Sequence, residues 1–409
     1  GVMGALQRIA PDAKITAIAD PNEEAAKKRL EGRLKTSSVY ALRKDEDEAL
    51  LRTVADEVRS VKFYKDADEL LKQAEIDAVM IGTRCSLHAK MAVKVAERKL
   101  PLFLEKPVAT TIDDVKALHK AFKKSGSGDK VVVSFPLRVT RHVQLAKQMI
   151  DAGVIGTLEH VQAVNNVTYG GDAYFMNWYR DWDETRGLWL QKATHDLDYV
   201  NYLYGIQPVR CAGMMSQRVL GPAGKRSVGF TMPMDVRCKD CKKQEECPES
   251  PFNNYYVRGK GEDVAVGEEK YCMFGDKIKN QDNGSCIVEY ETGAHAVYTQ
   301  NFFVRRDAGA RGAVLVGYKG TIKFDWKTNE FTVVYHHTPR VEKINLEARG
   351  GHGGGDTELV KSFFNVIRDG APSCSPLSAG VLSAFLCMKV DESCRKGQFV
   401  NVDTAELDK

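Results

Sequence analysis

Hydrophobic and polar positions follow two different periods along this chain. In the first third, short apolar runs alternate with amphipathic stretches. Lys14–Ala19 reads as a buried strand closed by Asp20-Pro21, and a helix follows over Asn22–Leu34. Leu50, Leu51, Val54, Ala55 and Val58 repeat with a helical period. Next come a strand at Asp77–Gly82, a helix at Leu87–Arg98 and a strand at Leu102–Glu105. A helix over Ile112–Lys124, capped by Thr110 or Thr111, and a strand at Val131–Phe135 complete the series. Strands alternating with helices imply a parallel sheet covered on both faces.

Beyond Pro136 the period changes. After a helix at Arg141–Ala152, alternating segments occur at Leu158–Thr168, Pro208–Ser216, Ser285–Tyr290, Ala294–Val304, Thr321–Trp326 and Phe331–His336. Glu291-Thr-Gly293 is a hairpin signal. These segments predict a large, mainly antiparallel sheet, one face of which is free to cover a ligand or pair with another subunit.

Length agrees with this division, because 409 residues exceed what one hydrophobic core serves. The expected architecture is α/β. Residues 1–135 form a doubly wound parallel domain, and residues 136–409 form an α+β domain for substrate binding and oligomerisation. With a mean hydropathy of -0.35, the chain has no apolar run near the roughly 20 residues that cross a bilayer. The net charge of +4 comes from 59 basic and 55 acidic side chains that are interspersed, which argues against a nucleic-acid partner. Ten cysteines, mostly scattered, suit a reducing, cytoplasmic setting better than a disulfide scaffold. No targeting segment is visible.

In a doubly wound sheet, ligands bind at the carboxyl ends of the strands. Gly1-Val2-Met3-Gly4 has the spacing of the last two glycines of a G-x-G-x-x-G phosphate loop. Asp20 ends the next strand, where a carboxylate accepts hydrogen bonds from an adenine-ribose diol and repels a 2′-phosphate. Together they predict a Rossmann-type domain selective for NAD over NADP. The strand that normally precedes such a loop does not precede Gly1, which points to an incomplete N-terminus.

Asp77-Ala-Val-Met-Ile-Gly-Thr83, Leu87-His88-Ala89 and Leu104-Glu-Lys-Pro107 are followed by Arg138, Ala152-Gly-Val-Ile-Gly156 and Lys192-Ala-Thr-His195-Asp-Leu-Asp198. Gly350-Gly-His-Gly-Gly-Gly-Asp356 comes later, with helices after it. In this order the segments resemble the Gfo/Idh/MocA family of glucose–fructose oxidoreductase and inositol dehydrogenase, over nearly the whole chain. The resemblance implies a nicotinamide-dependent oxidoreductase acting on a sugar, sugar derivative or cyclitol. It implies that Thr83, His88, Glu105 and Lys106 border the cofactor. It also implies that Lys106 lies between nicotinamide and substrate, and that His195 is the proton shuttle. Alcohol oxidation needs such groups: a cation stabilises the developing alkoxide, and an acid/base takes the proton. Many members carry an aspartate four residues before the histidine; here that position is Gln191, which cannot accept a proton. A related branch has a lysine where Lys192 stands, so Lys192 or Tyr199 shares the polarising duty.

Tyr169–Arg186 is rich in aromatic and charged residues, and offers Tyr174, Trp178 and Arg180 as sugar contacts, with Asp198, Tyr199 and His352 as further candidates. A packed lid without ligand is the alternative, as is a plain helix-start loop around His352 with Asp356 as cap. Cys238-x-x-Cys241 and Cys247, with Cys272 as fourth ligand, have spacing suited to structural zinc or an iron–sulfur cluster; free or disulfide-bonded thiols are the alternative. Other functions stay open: a glycoside-cleaving enzyme that uses a retained NAD for transient sugar oxidation, or a non-catalytic sugar- or cofactor-binding protein. A homodimer or homotetramer through the C-terminal sheet is expected, with no membrane partner.

Overall fold

The computed structural model describes residues 9, 10, 12–35, 60–224, 229, 235–250, 270–347 and 351–409. The Gly1–Gly4 loop and the helical pattern at Leu50–Val58 lie outside them. In the first part, β1 (Ala17–Ala19) leads to α1 (Glu23–Lys35) and pairs in parallel with β2 (Lys62–Tyr64). After α2 (Ala67–Gln73), a parallel sheet is built from β3 (Val79–Ile81), β4 (Leu102–Leu104) and β5 (Val131–Val133), linked by α3 (His88–Arg98) and α4 (Ile112–Ser125). Within the described residues β1 and β3 do not pair, so the parallel strands form two sheets, β1-β2 and β3-β4-β5. β2 and α2 are too short to stand out in the hydrophobic pattern.

Local chemistry sets the ends of α4. The Thr111 hydroxyl accepts from the Asp114 N–H at 3.1 Å, and Gly126 closes the helix at φ 67°. Of the two threonines anticipated as cap, Thr111 serves.

The second part begins with α5 (Arg141–Asp151) and β6 (Leu158–Asn166), and continues through α6 (Thr194–Tyr204). It then comprises β7 (Pro208–Ser216), β8 (Asn283–Tyr290), β9 (His295–Asn301), β10 (Ala310–Gly317), β11 (Gly320–Asp325), β12 (Glu330–Tyr335) and β13 (Val341–Asn345). Two helices, α7 (Gly355–Asp369) and α8 (Leu377–Lys396), precede the short β14 (Val400–Asn401). Nine strands form one sheet in the order β13-β12-β11-β10-β6-β9-β8-β7-β14. Every pair is antiparallel except β6 with β9, where His160 faces His295 in register. β10 and β13 are additions to the sequence reading: β10 opens on Ala-Arg-Gly, and of the two apolar residues of β13 only Ile344 packs on the core while Val341 is exposed. On the sheet face away from α8, Met214 and Ile287 are exposed.

The C-terminal helices return to the first sheet. Leu102, Leu104, Val131 and Val133 share a core with α3, α4 and α8, whereas Phe103 and Val132 pack with Leu359, Phe363 and Val366 of α7. Strand alternation thus sends successive side chains to opposite faces, each covered by a helix. Gly380 lets α8 approach closely, because a Cβ there would lie 2.6 Å from the Val108 side chain.

Candidate active site

The loops after β3 and β4 open at one edge of their parallel sheet, and the loop after β1 follows the carboxyl end of the β1-β2 pair. After β3, Gly82 and Thr83 are exposed, and the space beside Gly82 is open, which suits a dinucleotide lying along this edge. His88 is buried at the start of α3; its Nδ1 lies 2.7 Å from the Pro107 carbonyl oxygen and its Nε2 lies 3.1 Å from that of Thr83. The ring therefore ties the β3 loop to the β4 loop. After β4, Glu105 accepts from the Ser134 hydroxyl at 3.2 Å, and burial pushes its carboxyl above the usual range. After β1, Asp20 Oδ1 accepts from the Asn22 N–H at 2.8 Å, and Asn22 caps α1 through the Ala25 N–H. Asp20 therefore organises a turn while standing at the strand end.

Lys106 reaches across to the second part, where its Nζ donates to the Gln191 carbonyl at 2.7 Å. Burial lowers its pKa to about 8; Cys85 opposes the shift and Lys192 adds to it. Gln191 and Lys192 belong to a π-helical turn, Trp189–Ala193, that runs directly into α6. Such turns are frequent at functional sites. Lys192 is buried, and its Nζ donates to the Tyr169 hydroxyl at 2.8 Å. His195 lies in the first turn of α6, with its ring 5.9 Å from that of His352 and 6.0 Å from that of Phe135. Burial, then Lys106, Arg311, His352 and Lys192, push its pKa well below the usual histidine range. The structure therefore assembles Lys106, Lys192, His195 and His352, and adds two residues the sequence reading missed, Tyr169 and Arg311.

Helix α6 is buried on nearly every side although it carries polar residues, so each of these needs a partner. Asp196 accepts from Arg311 Nε at 2.9 Å and Nη2 at 3.0 Å, and also from Asn165 and Tyr298. Asp198 accepts from Arg138 Nε at 3.0 Å and Nη2 at 2.7 Å. Asp198 therefore holds the strand-end loop of β5 rather than standing open to substrate. Tyr199 needs correction too. Four residues beyond His195, about 6 Å along the axis, its ring is in the core against Trp326 and Phe324, and its hydroxyl donates to the Gly312 carbonyl at 3.3 Å. It does not share Lys192's duty.

In the aromatic loop, Tyr174 is buried against Tyr179 and Phe302, and Trp178 stacks on Tyr179 with a centroid distance of 3.9 Å. The Arg84 guanidinium sits 4.1 Å over the Trp178 ring, and the Ser86 hydroxyl donates to Glu184 at 2.6 Å. The loop thus docks on the β3 edge through Trp178 and Glu184. Arg180 is turned elsewhere: it pairs with Asp235 and lies over Tyr271 at 5.0 Å, binding the cysteine-bearing segment instead of a sugar. His352 has a left-handed backbone, φ 46°, and an exposed ring whose Nδ1 lies 3.0 Å from Asp356 Oδ1. Asp356 orients His352 and is not the cap; Gly354 holds that position.

Cys238, Cys241, Cys247 and Cys272 do converge, lining one small cavity with Met176, Met273 and Phe274. Among the described residues, however, no group of three or more His, Cys, Asp or Glu is arranged to hold a metal ion, so structural zinc is not supported. Burial pushes Cys238 and Cys272 up to about 12 and about 11. Protonated thiols behave as small apolar groups, and these pack with Tyr174, Phe175 and Phe302 in one cluster. The Tyr271 N–H donates to the Met176 carbonyl at 3.0 Å, so this cluster anchors the aromatic loop.

A parallel-strand edge suited to a dinucleotide, carrying Lys106 and faced by Lys192 and His195 from a second sheet domain, defines an oxidoreductase of the two-domain nicotinamide class. The chain belongs to the Gfo/Idh/MocA family: residues 2–135 match its NAD-binding Rossmann-fold domain, and residues 143–323 match a GFO/IDH/MocA C-terminal domain. It is 27% identical to the Bacillus subtilis (strain 168) protein YteT over 334 residues, 74% of this chain and 76% of that protein. It is 30% identical to scyllo-inositol 2-dehydrogenase (NAD(+)) of the same organism over 160 residues, 39% of this chain and 44% of that enzyme. Its fold matches levoglucosan dehydrogenase in complex with NADH and levoglucosan, with a TM-score of 0.69 and 18% identity, covering 99% of this chain and 97% of that one. No described helix is long and apolar enough to cross a membrane.

Proposed function

We propose that the protein is an NAD-dependent dehydrogenase that interconverts a secondary hydroxyl and a carbonyl on a sugar, sugar derivative or cyclitol. The observation that carries this reading is the Lys106 ammonium, half-buried at the β4 edge on the Gln191 carbonyl and beside Lys192 and His195. Residues 1–135 are the cofactor domain, with Asp20, Thr83, Glu105 and Lys106 along the edge that the dinucleotide occupies. NAD, when bound, supplies the hydride acceptor. Lys106 meets the substrate oxygen and favours the alkoxide there. His195, kept neutral by burial and then by its cationic neighbours, hydrogen-bonds the substrate, with His352 and Trp178 lining its approach.

Full-length protein mixed with NAD and a panel of inositols, hexoses and anhydrosugars should produce NADH, followed by its absorbance. Bond cleavage of a glycoside with no net NADH would instead favour the transient-oxidation reading. Failure to bind NAD would leave a binding protein without dehydrogenase chemistry. Asp20 predicts the cofactor choice: kcat/KM should favour NAD over NADP by roughly tenfold or more, since a carboxylate beside a 2′-phosphate costs at least about 1.4 kcal/mol. Asp20→Gly should narrow that ratio, and an unchanged ratio would remove Asp20 from the cofactor site.

A further inference from the structure

Three groups around Lys106 can be compared as acceptors for the substrate proton. Gln191 is not ionisable. His195 is enclosed by Lys106, Arg311, His352 and Lys192, so a proton there adds one more positive charge to a cationic pocket. Tyr169 stands in the same field with the opposite chemistry, because ionisation gives it a negative charge. Its hydroxyl accepts the Lys192 Nζ at 2.8 Å, and the ammonium lies 5.2 Å from its ring centroid. Of this pair, Lys192 is 4% exposed and Tyr169 is 43% exposed, so Tyr169 is the member that can meet a ligand and return a proton to solvent. The groups facing it are Lys192 in the π-helical turn, Arg311 on β10, Asp196 on α6, Tyr174 and Tyr179 in the aromatic loop, and Lys106 after β4. Asp196 is already neutralised by Arg311, which leaves Lys192 as the dominant charge on Tyr169.

We infer that Tyr169, held by Lys192, is the acid/base residue that exchanges a proton with the substrate hydroxyl. This rests on the dehydrogenase reading above. In the oxidation direction, the substrate O–H proton passes to the Tyr169 oxygen and the C–H hydride leaves for the nicotinamide of NAD. The carbon–oxygen bond becomes a carbonyl, and neutral Tyr169 then loses its proton to solvent. Reduction reverses each transfer. The Lys192 ammonium lowers the Tyr169 pKa to about 8, so the phenolate is accessible near neutral pH without a carboxylate at position 191.

The first test needs no substrate. Ultraviolet titration of tyrosinate in the unliganded protein should show one tyrosine ionising near pH 8. Tyr169→Phe should remove that step, and Lys192→Met should move it up toward the ordinary tyrosine value of 10.0. With a turned-over sugar from the panel, Tyr169→Phe should lower kcat by roughly 10²–10⁴-fold, leave NADH binding by nicotinamide fluorescence unchanged, and abolish the acid limb of the pH–rate profile. The inference is overturned if the early titration survives in Tyr169→Phe, or if that variant keeps kcat within about threefold and retains the acid limb. A wild-type protein that turns over no sugar yet shows the early tyrosinate would instead sink the dehydrogenase reading and leave the Tyr169–Lys192 pair intact.

Discussion

Lys106→Ala is expected to lower kcat by two or more orders of magnitude, about 3 kcal/mol of transition-state stabilisation, while NAD affinity and Tm stay close to wild type. The ammonium points across to the Gln191 carbonyl, and in the proposed reaction the same donor would meet the substrate oxygen. Its charge is held at a cost, because burial brings the pKa down to about 8. Removing a desolvated charge therefore relieves the folded state, and Tm should not fall. A pH dependence follows. Lys106 must be protonated to stabilise an alkoxide, so its contribution is present below about 8 and fades as pH rises through that value. Tyr169 must be ionised to accept a proton, so the oxidation rate rises through about 8. The two limbs together give a narrow bell centred near pH 8. Near-normal turnover of Lys106→Ala by NADH absorbance would displace Lys106 from the chemistry altogether.

The largest loss of stability should come from Asp198→Asn. Arg138 and Asp198 are both almost wholly buried, and their two parallel hydrogen bonds join the turn after β5 to helix α6. The asparagine variant leaves a guanidinium without a counter-ion in a dry interior, a change that costs about 3–5 kcal/mol. For a protein of this size, a Tm decrease of about 4–6 °C is expected. Burial already pushes the Asp198 carboxyl up to about 6 even beside Arg138. A calorimetric scan in which Asp198→Asn melts with wild type would show that the pair does not tie the two parts together.

The site was legible only where local pattern carries chemistry. Glu105-Lys106-Pro107 follows an apolar run that must be a strand, so Lys106 could be placed at a sheet edge before any contact was known. Lys192 and His195 share a short segment, and their proximity is local. Tyr169 gave no such signal: it lies 23 residues from Lys192, and only the packing of the β6 end against the π-helical turn brings them together. Arg180, Asp198 and Tyr199 had the right chemistry for a sugar site but were claimed by Asp235, Arg138 and the Trp326 core. A residue's type does not reveal whether a partner elsewhere already satisfies it.

From the sequence alone came the alternation of strands and helices, the change to an antiparallel period after Pro136, the family signature and the cysteine spacing. These depend on side-chain period and on residues close together along the chain. The return of α7 and α8 onto β3-β4-β5, the parallel pairing of β6 with β9, the packing of four thiols into one apolar cluster and the Tyr169–Lys192 pair were decided by tertiary structure. Each joins segments far apart in the chain, and the energy that selects them lies in burial and in satisfying buried charge, which local pattern does not encode.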